Sequence, residues 1–265
     1  MEENLKRNKK YYFIDESGDS AFYASGNRLI VNSVGFKPML LIGMVQIDDK
    51  KVIRNKILKF MEDLKSDPLY SSLPCIRNPK GWYLHASYDN IEVQVKFAEF
   101  LRKLEGFKFY CIIGRKKLDI FHKKHNMNET EFYFDLIYHL TQNRLVSEEH
   151  FHQVLLSARH KSTQNKLKES IEKALFSDNK KRVAPLKIAY NCEIVLSKET
   201  PELSIVDYLL WALQRNILKN ESRFYNALIE KYTLIIDLYD NEQHYYESKI
   251  FDPKKATEFR TDGYI

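Results

Sequence analysis

Hydrophobic residues in this chain follow the spacing of strands in some stretches and the spacing of helices in others. Aromatic and β-branched runs predict strands over 11–14, 39–47, 107–113, 153–156, 185–196 and 232–238. Apolar residues three or four positions apart predict helices from Asp48 or Asp49 to about residue 64, and over 91–104, 131–145, 164–175 and 203–218. This alternation predicts an α/β fold, and we expect a single domain over residues 1–265.

One stretch interrupts the alternation of strands and helices. Residues 67–81 contain three of the seven prolines, Pro68, Pro74 and Pro79. Proline removes a backbone donor and restricts the residue before it, so this stretch is predicted to be an irregular insertion. The insertion could serve as a lid or as a docking loop.

Composition excludes several classes of protein. The chain has 265 residues with 42 Lys and Arg against 36 Asp and Glu, a net charge of +6 that permits a polyanionic partner without naming one. Three cysteines without a C-x-x-C pair argue against a disulfide framework and a cysteine zinc site, and they fit a reducing cytoplasm. No apolar run reaches the roughly 18 residues of a membrane span, so we expect neither membrane insertion nor secretion.

Familiar catalytic motifs are absent from the sequence. There is no G-x-G-x-x-G after a strand, no phosphate loop, no H-E-x-x-H and no G-x-S-x-G. The pairs His122/His125 and His150/His152 have the spacing of metal ligands, but they lie among Lys and Glu in segments that we expect to be solvated. We assign them no metal.

Asp15 follows directly after the first buried strand. An ionised carboxylate in such surroundings is unfavourable unless a cation or hydrogen-bond donors compensate it. Strand alternation places Phe13, Asp15 and Ser17 on one face and Glu16 on the other, so Asp15 and Glu16 are expected to point apart. The alternative is that Asp15 and Asp19 only cap a turn.

Asp207 interrupts the apolar face of the last long helix. It shares a stripe with Leu203, Leu210 and Trp211, so its carboxylate is expected to face inward. A buried ion pair with an Arg or Lys is the structural alternative. Asp15 and Asp207 together can bind Mg²⁺ or Mn²⁺, since these cations take oxygen ligands and leave room for substrate phosphates, which suits phosphodiester hydrolysis.

Two further segments carry candidate polar groups. His85 precedes a helix and is a candidate general acid or base, with a hydrogen bond to a backbone carbonyl as the alternative. Arg159, His160, Ser162 and Thr163 lie between a strand and a helix, where hydroxyls and the helix amino end can receive a phosphate. For Ser162 and Thr163 simple helix capping is the alternative, and it is slightly favoured for these two residues.

Three segments, in this order along the chain, resemble one protein family. They are Asp15-Glu16-Ser17-Gly18-Asp19, His85-Ala86-Ser87-Tyr88-Asp89, and the helical stretch 203–212 that contains Asp207. They resemble a bacterial and phage family of unknown function, with an amino-terminal Asp-Glu-Ser-Gly-Asp motif, that is grouped with the ribonuclease H-like superfamily. The resemblance implies a central mixed sheet flanked by helices, with Asp15 and Asp207 as the carboxylates of a two-metal nuclease site.

The chain departs from the ribonuclease H-like pattern at one position. These enzymes usually carry a middle acidic residue on a further strand, whereas residues 154–160 contain no carboxylate. Glu16, Asp89 or Asp237 are candidates to replace it. A site with one metal, in which His85, Arg159 or His160 stabilises charge on the phosphate, is the other solution.

These observations lead to two hypotheses of function. The first is a cytoplasmic, divalent-metal-dependent nuclease acting on RNA or DNA, with Asp15, Glu16, His85 and Asp207 as catalytic residues and Asp15 and Asp207 as the metal ligands. The family's occurrence in mobile elements suggests a toxin or an antiphage defence effector with protein partners. The second is a catalytically degenerate subunit that binds nucleic acid or protein through the 67–81 insertion and the basic segment 161–182.

Overall fold

A computed structural model describes residues 8–31, 33–158, 163–180, 182–239 and 249–250 of the chain. The strands are β1 Asn8–Gly18, β2 Tyr23–Ala24, β3 Arg28–Leu29, β4 Met39–Ile47, β5 Phe107–Arg115, β6 His150–Ser157, β7 Ala189–Val195, β8 Tyr232–Asp237 and β9 Lys249–Ile250. The α-helices are α1 Lys50–Ser66, α2 Ile91–Lys103, α3 Leu118–His125, α4 Glu129–Thr141, α5 Gln164–Lys180, α6 Leu203–Lys219 and α7 Ser222–Leu228. In these ranges no helix is long and apolar enough to cross a membrane.

A mixed sheet of seven strands in the order β7-β6-β1-β4-β5-β8-β9 forms the centre of the molecule. Strand β4 pairs antiparallel with both β1 and β5, whereas β6 and β7 run parallel to β1 on its other side. Parallel neighbours need long crossovers, and α5 supplies the one between β6 and β7. This arrangement confirms the predicted α/β architecture, a central mixed sheet flanked by helices.

Strand β1 is longer than the sequence predicts. The expected strand ended at residue 14 and closed in a turn, but β1 runs on to Gly18, which has a φ of 103°. Asp15 is paired with Gly43 of β4, so the prediction of a turn at Asp15 was wrong. Residues 15–18 would favour a turn in isolation, but pairing with β4 keeps them in a strand.

The two faces of β1 belong to two separate cores, as its alternation predicts. Phe13 packs with α1, α2 and α6, whereas Tyr12 and Ile14 pack beneath α3, α4 and α5. Asp15 therefore emerges on the face that α6 covers, as expected from its position two residues after Phe13.

The prediction of solvated histidine pairs was wrong for one member of each pair. His125 and His152 are each only 1% exposed. His152 lies on β6, where its Nδ1 is 2.9 Å from the hydroxyl of Tyr12, and His125 ends α3, which the sequence analysis did not predict. His125 Nε2 lies 3.2 Å from Asp135 Oδ2. These two histidines are held by core polar groups.

The 67–81 insertion has neither helix nor strand, which confirms its irregular character. Tyr70, Leu73 and Ile76 nevertheless pack against the core that contains α6. The backbone N–H of Cys75 donates to Asn90 Oδ1 at 3.1 Å, which joins the insertion to the start of α2. The insertion is thus docked on the body of the protein.

Gly43 allows α6 to lie unusually close to the sheet. A Cβ at this position would lie 2.8 Å from the ring of Phe109 and 3.0 Å from Leu210 Cδ2 on α6. Glycine inside a strand often marks such a close approach of another element. Because Gly43 is the β4 partner of Asp15, this approach brings α6 over the Asp15 carboxylate.

Replacement of Gly43 by alanine tests this approach. We expect Gly43→Ala to lower the free energy of unfolding by about 1–3 kcal/mol, because the added methyl group overpacks the contact with Leu210. Urea denaturation measures the change. Gly114→Ala, which places a Cβ 2.5 Å from Leu136 on the opposite face, is the matched control. We expect it to destabilise the fold without moving α6, and equal stability of Gly43→Ala and the wild type would contradict the account.

Candidate functional site

A cavity of about 690 Å³ opens where β1, β6 and α6 meet. Its floor contains Asp15 of β1 and Ser157 of β6, and Asp207 of α6 enters from one wall. Residues 83–88, which connect the 67–81 insertion to α2, form a second wall. The cavity therefore brings together the first and second of the three motifs and Asp207 of the third.

Asp15 lies on the cavity floor beside a hydroxyl of the neighbouring strand. Ser157 of β6 lies next to Asp15 and hydrogen-bonds to it, within the stretch 154–160 in which the family resemblance leads us to expect a further carboxylate. Burial raises the pKa of Asp15 well above its usual range, and the charges of Glu16 and Asp207 raise it further. Hydrogen bonds from the Glu16 backbone N–H and from Ser157 oppose that rise.

Asp207 faces inward, as its helical stripe predicts, with its side chain 18% exposed. Its Oδ2 accepts a hydrogen bond of 2.6 Å from the backbone N–H of Ala86 and lies 3.7 Å from His85 Nδ1. Burial raises the pKa of Asp207, and the nearby Asp89 acts in the same direction, whereas His85 and the Ala86 N–H act against it. Among the described residues, no lysine or arginine is paired with it.

Asp89 anchors the loop that carries His85. It is 6% exposed, and its carboxylate accepts hydrogen bonds from Trp82 Nε1 at 2.7 Å, from the His85 N–H at 2.8 Å and from the Tyr208 hydroxyl at 2.6 Å. These three donors satisfy Asp89, and it does not line the cavity. Since Tyr208 follows Asp207 on α6, Asp89 fixes the loop to α6 next to the second carboxylate.

The start of α6 is fixed to α1 by an ion pair whose carboxylate is buried. Arg54 Nε and Nη2 donate to the two carboxylate oxygens of Glu202 at 2.8 and 2.9 Å, and the Glu202 side chain is fully buried. A bidentate pair of this kind fixes orientation as well as distance. It sets the position of the helix that carries Asp207.

Gln214 contributes an unsatisfied donor to the cavity. Its Nε2 is buried and has no hydrogen-bond partner in the described part of the chain. Gln214 lies on α6 two turns after Asp207 and lines the same cavity. Nothing in the local sequence distinguishes this glutamine from other polar helix residues, so the sequence analysis did not identify it.

The remaining predicted site residues divide into two groups. Glu16 lines the cavity, but its carboxylate accepts a hydrogen bond of 3.1 Å from Tyr133 on α4, on the opposite side of the sheet from Asp15. Thr163 caps α5, with its Oγ1 accepting from the Lys166 N–H at 3.3 Å, and it does not line the cavity. Arg159, His160 and Ser162 lie outside the described residues.

Asp237 does not supply the missing third carboxylate. It is 2% exposed and binds Arg115 through both oxygens, at 2.8–3.0 Å. It lies on β8, which β4 and β5 separate from β1. The cavity therefore brings together the carboxylates of Asp15 and Asp207 and the hydroxyl of Ser157, where three carboxylates were expected.

The carboxylates of Asp15 and Asp207 fit a divalent cation whose remaining ligands are water and substrate phosphates. Asp15 and Asp207 are oxygen donors whose negative charges are brought together, which is the environment that Mg²⁺ and Mn²⁺ prefer. Within the described ranges, no three His, Cys, Asp or Glu residues are arranged as a metal cage. Mg²⁺ is usually bound by one or two carboxylates, with water and substrate phosphates completing its shell.

Comparisons with known proteins give a structural similarity at low sequence identity. No family model and no curated protein matches the chain. A chain in a solved structure described as the PCNA:RNase HII complex from Archaeoglobus fulgidus is similar over 84% of this chain and 80% of that chain, with 11% sequence identity and a TM-score of 0.41. At that identity and TM-score the similarity carries no argument about activity, so function must be argued from the cavity.

Neutralising either cavity carboxylate should stabilise the metal-free protein. The pKa of each carboxyl is higher in the folded than in the unfolded protein, so the folded state favours the protonated form. The carboxyl therefore contributes to the free energy of unfolding at acid pH, and this contribution is lost as the pH rises through the raised pKa. We expect Asp15→Asn and Asp207→Asn to raise the melting temperature in EDTA, by about 2–4 °C for each kcal/mol regained, and more at pH 8 than at pH 4. Thermal unfolding followed by circular dichroism measures the shift.

Asp237→Asn is the matched control, because it also neutralises a buried aspartate. It should lower the melting temperature, since it weakens the bidentate pair with Arg115. A fall in melting temperature for Asp15→Asn as large as that for Asp237→Asn would show that Asp15 is a structural residue.

Proposed function

We propose that the chain is a divalent-metal-dependent nuclease that hydrolyses phosphodiester bonds of nucleic acid. The observation that carries the proposal is the placement of Asp15 and Asp207, from opposite ends of the chain, in one cavity where neither is neutralised by a lysine or arginine of the described residues. Buried carboxylates with strongly perturbed pKa values concentrate at functional sites. The preference of Mg²⁺ and Mn²⁺ for such oxygens supports a metal-dependent reaction.

Each cavity residue has a distinct role in the proposed reaction. Asp15 and Asp207 hold the cation, which when bound polarises the phosphate and lowers the pKa of water. The Ala86 N–H orients Asp207, and Ser157 orients Asp15. His85, 3.7 Å from Asp207, is positioned to exchange a proton with the attacking or leaving group.

Nucleic acid is the partner that the charges favour. The exposed side chains of Lys37 and Lys198 line the same cavity, where they can contact phosphates on either side of the one that reacts. The net charge of +6 also favours a polyanion. A role as a toxin or an antiphage effector is a further proposal, and its support is the family resemblance alone.

A second function is favoured by one specific observation. Ser157 occupies the position beside Asp15 where a third carboxylate is expected. A site that has lost an acidic ligand can keep its fold and its basic rim while losing catalysis. In that case the chain is a nucleic-acid-binding or protein-binding subunit of a larger complex.

Cleavage assays with metal and matched variants separate the two functions. We expect the wild-type chain to cleave labelled RNA or DNA in Mn²⁺ or Mg²⁺ and to be inactive in EDTA. Asp15→Asn and Asp207→Asn should each reduce the rate at least about 100-fold, which is the scale of a lost transition-state contact. Gel electrophoresis of end-labelled strands measures the rate.

Glu199→Gln is the control for a general effect of charge. Glu199 is an exposed carboxylate that lines the same cavity, and its neutralisation should leave the rate within about twofold. Metal-dependent cleavage that survives in Asp207→Asn would contradict the proposed site. Retention of nucleic acid by the wild type without cleavage in either metal would favour the binding subunit.

A further inference from the structure

The cavity wall formed by residues 83–88, here called the aromatic wall, exposes a series of rings. Residues 82–85 form neither helix nor strand, and burial alternates along the segment, with Leu84 and Ala86 buried in the core that contains α6. The same alternation directs Tyr83 and His85 into the cavity. Tyr83 and His85 face the cavity because their neighbours Leu84 and Ala86 are buried in the core.

Tyr88 extends this series to the rim of the cavity. Its side chain is 75% exposed, and its ring centroid lies 4.4 Å from that of His85, which in turn lies 6.1 Å from that of Tyr83. A large ring with this exposure contributes little to the core. Tyr88 thus presents a free aromatic surface at the edge of a cavity whose floor holds Asp15 and Asp207.

Hydrogen bonds hold the backbone of the aromatic wall in place. The Tyr88 N–H donates to the His85 carbonyl at 3.0 Å, and the Asp89 carboxylate accepts from the His85 N–H and from the Tyr208 hydroxyl on α6. Gln94 Nε2 donates to the carbonyls of Ala86 and Asp89 at 2.7 and 3.0 Å. A ring on a fixed support loses little freedom on binding a ligand.

The cavity also carries positive charges that a nucleic-acid backbone can contact. Lys37 and Lys198 are exposed there, and both line the cavity with Tyr88. Proteins that bind single strands combine such charges with aromatic side chains on which unpaired bases stack. In a duplex the base faces are covered by their neighbours, so an aromatic side chain cannot stack on them without extruding a base.

We infer that the substrate is single-stranded nucleic acid, with an unpaired base stacked on Tyr88 while the adjoining phosphate reaches Asp15 and Asp207. This inference rests on the proposed function for the identity of the phosphate site. The stacking itself involves Tyr88, which takes no part in holding a metal. The two ideas can therefore fail separately.

Binding of short labelled strands to the Asp207→Asn chain tests the inference without cleavage. The probes are oligothymidylate and oligouridylate, an abasic strand with the same number of phosphates, and a matching duplex, each followed by fluorescence anisotropy. We expect the base-bearing strands to bind more tightly than the abasic strand and the duplex. Tyr88→Ala should weaken binding of the base-bearing strands by about 5- to 150-fold, the range that corresponds to stacking of one base.

Two further variants separate stacking from other effects. Tyr88→Phe keeps the ring and should retain the affinity, whereas Tyr88→Ala should not change the weak binding of the abasic strand. Phe176→Ala removes a ring that is 69% exposed on α5, outside the cavity, and should change nothing. In the metal-dependent reaction of the otherwise wild-type chain, Tyr88→Ala should raise KM more than it lowers kcat.

Each other result has a defined meaning. Equal binding of base-bearing and abasic strands, equal binding of the duplex, or unchanged affinity in Tyr88→Ala would overturn the inference. If the wild type nevertheless shows metal-dependent cleavage, the proposed nuclease function is supported and only base stacking on Tyr88 is contradicted. If no strand is bound and none is cleaved, both fall together.

Discussion

The packing of α6 across β1 and β4 is the constraint on which the site depends. Gly43 removes the side chain that would hold the helix away, and Leu210 occupies the space. The approach places Asp207 in the same cavity as Asp15, the strand partner of Gly43. The carboxylates come together because the hydrophobic side chains around them bury large apolar areas, so the free energy of core packing offsets the unfavourable electrostatics.

The contrast with the other buried carboxylates shows what is unusual in the cavity. Glu202 and Asp237 are each held by a bidentate arginine, and Asp89 accepts three hydrogen bonds. Buried charges in proteins normally have such partners. Asp15 and Asp207 have only weaker compensation from backbone N–H groups, a hydroxyl and a neighbouring imidazole. A bound cation would supply the charge that the described protein groups lack.

Sequence reasoning identified the residues whose chemistry conflicts with their local pattern. Asp15 and Asp207 stood out because a carboxylate interrupts a run of apolar positions, and the face each occupies followed from strand and helix periodicity. Ser157 and Gln214 gave no such signal, because a serine at a strand end and a glutamine on a helix are ordinary. Their placement depends on strand register and helix packing, which bring together residues that are distant in sequence.

The errors in the predicted elements have the same physical origin. Strand β1 continues past Ile14 because β4 pairs with it, which local turn propensity does not register. Helix α3 has only eight residues, and its Lys and His content hides the apolar contacts of Ile120 and Phe121. Asp89 is one of the three candidates for the missing middle acidic residue, but the structure shows its carboxylate bound by three donors that lie on two different segments.

The central claim is that Asp15 and Asp207 form a divalent-metal site. Calorimetric titration of Mn²⁺ into the metal-free protein, repeated at several pH values, tests it most directly. The account predicts saturable binding that strengthens as the pH rises, because protons compete with the metal for carboxyls whose pKa is raised. It also predicts a loss of affinity of at least about 10-fold in Asp15→Asn and in Asp207→Asn, but not in Glu199→Gln. Equal Mn²⁺ binding by the wild type and both asparagine variants would contradict it.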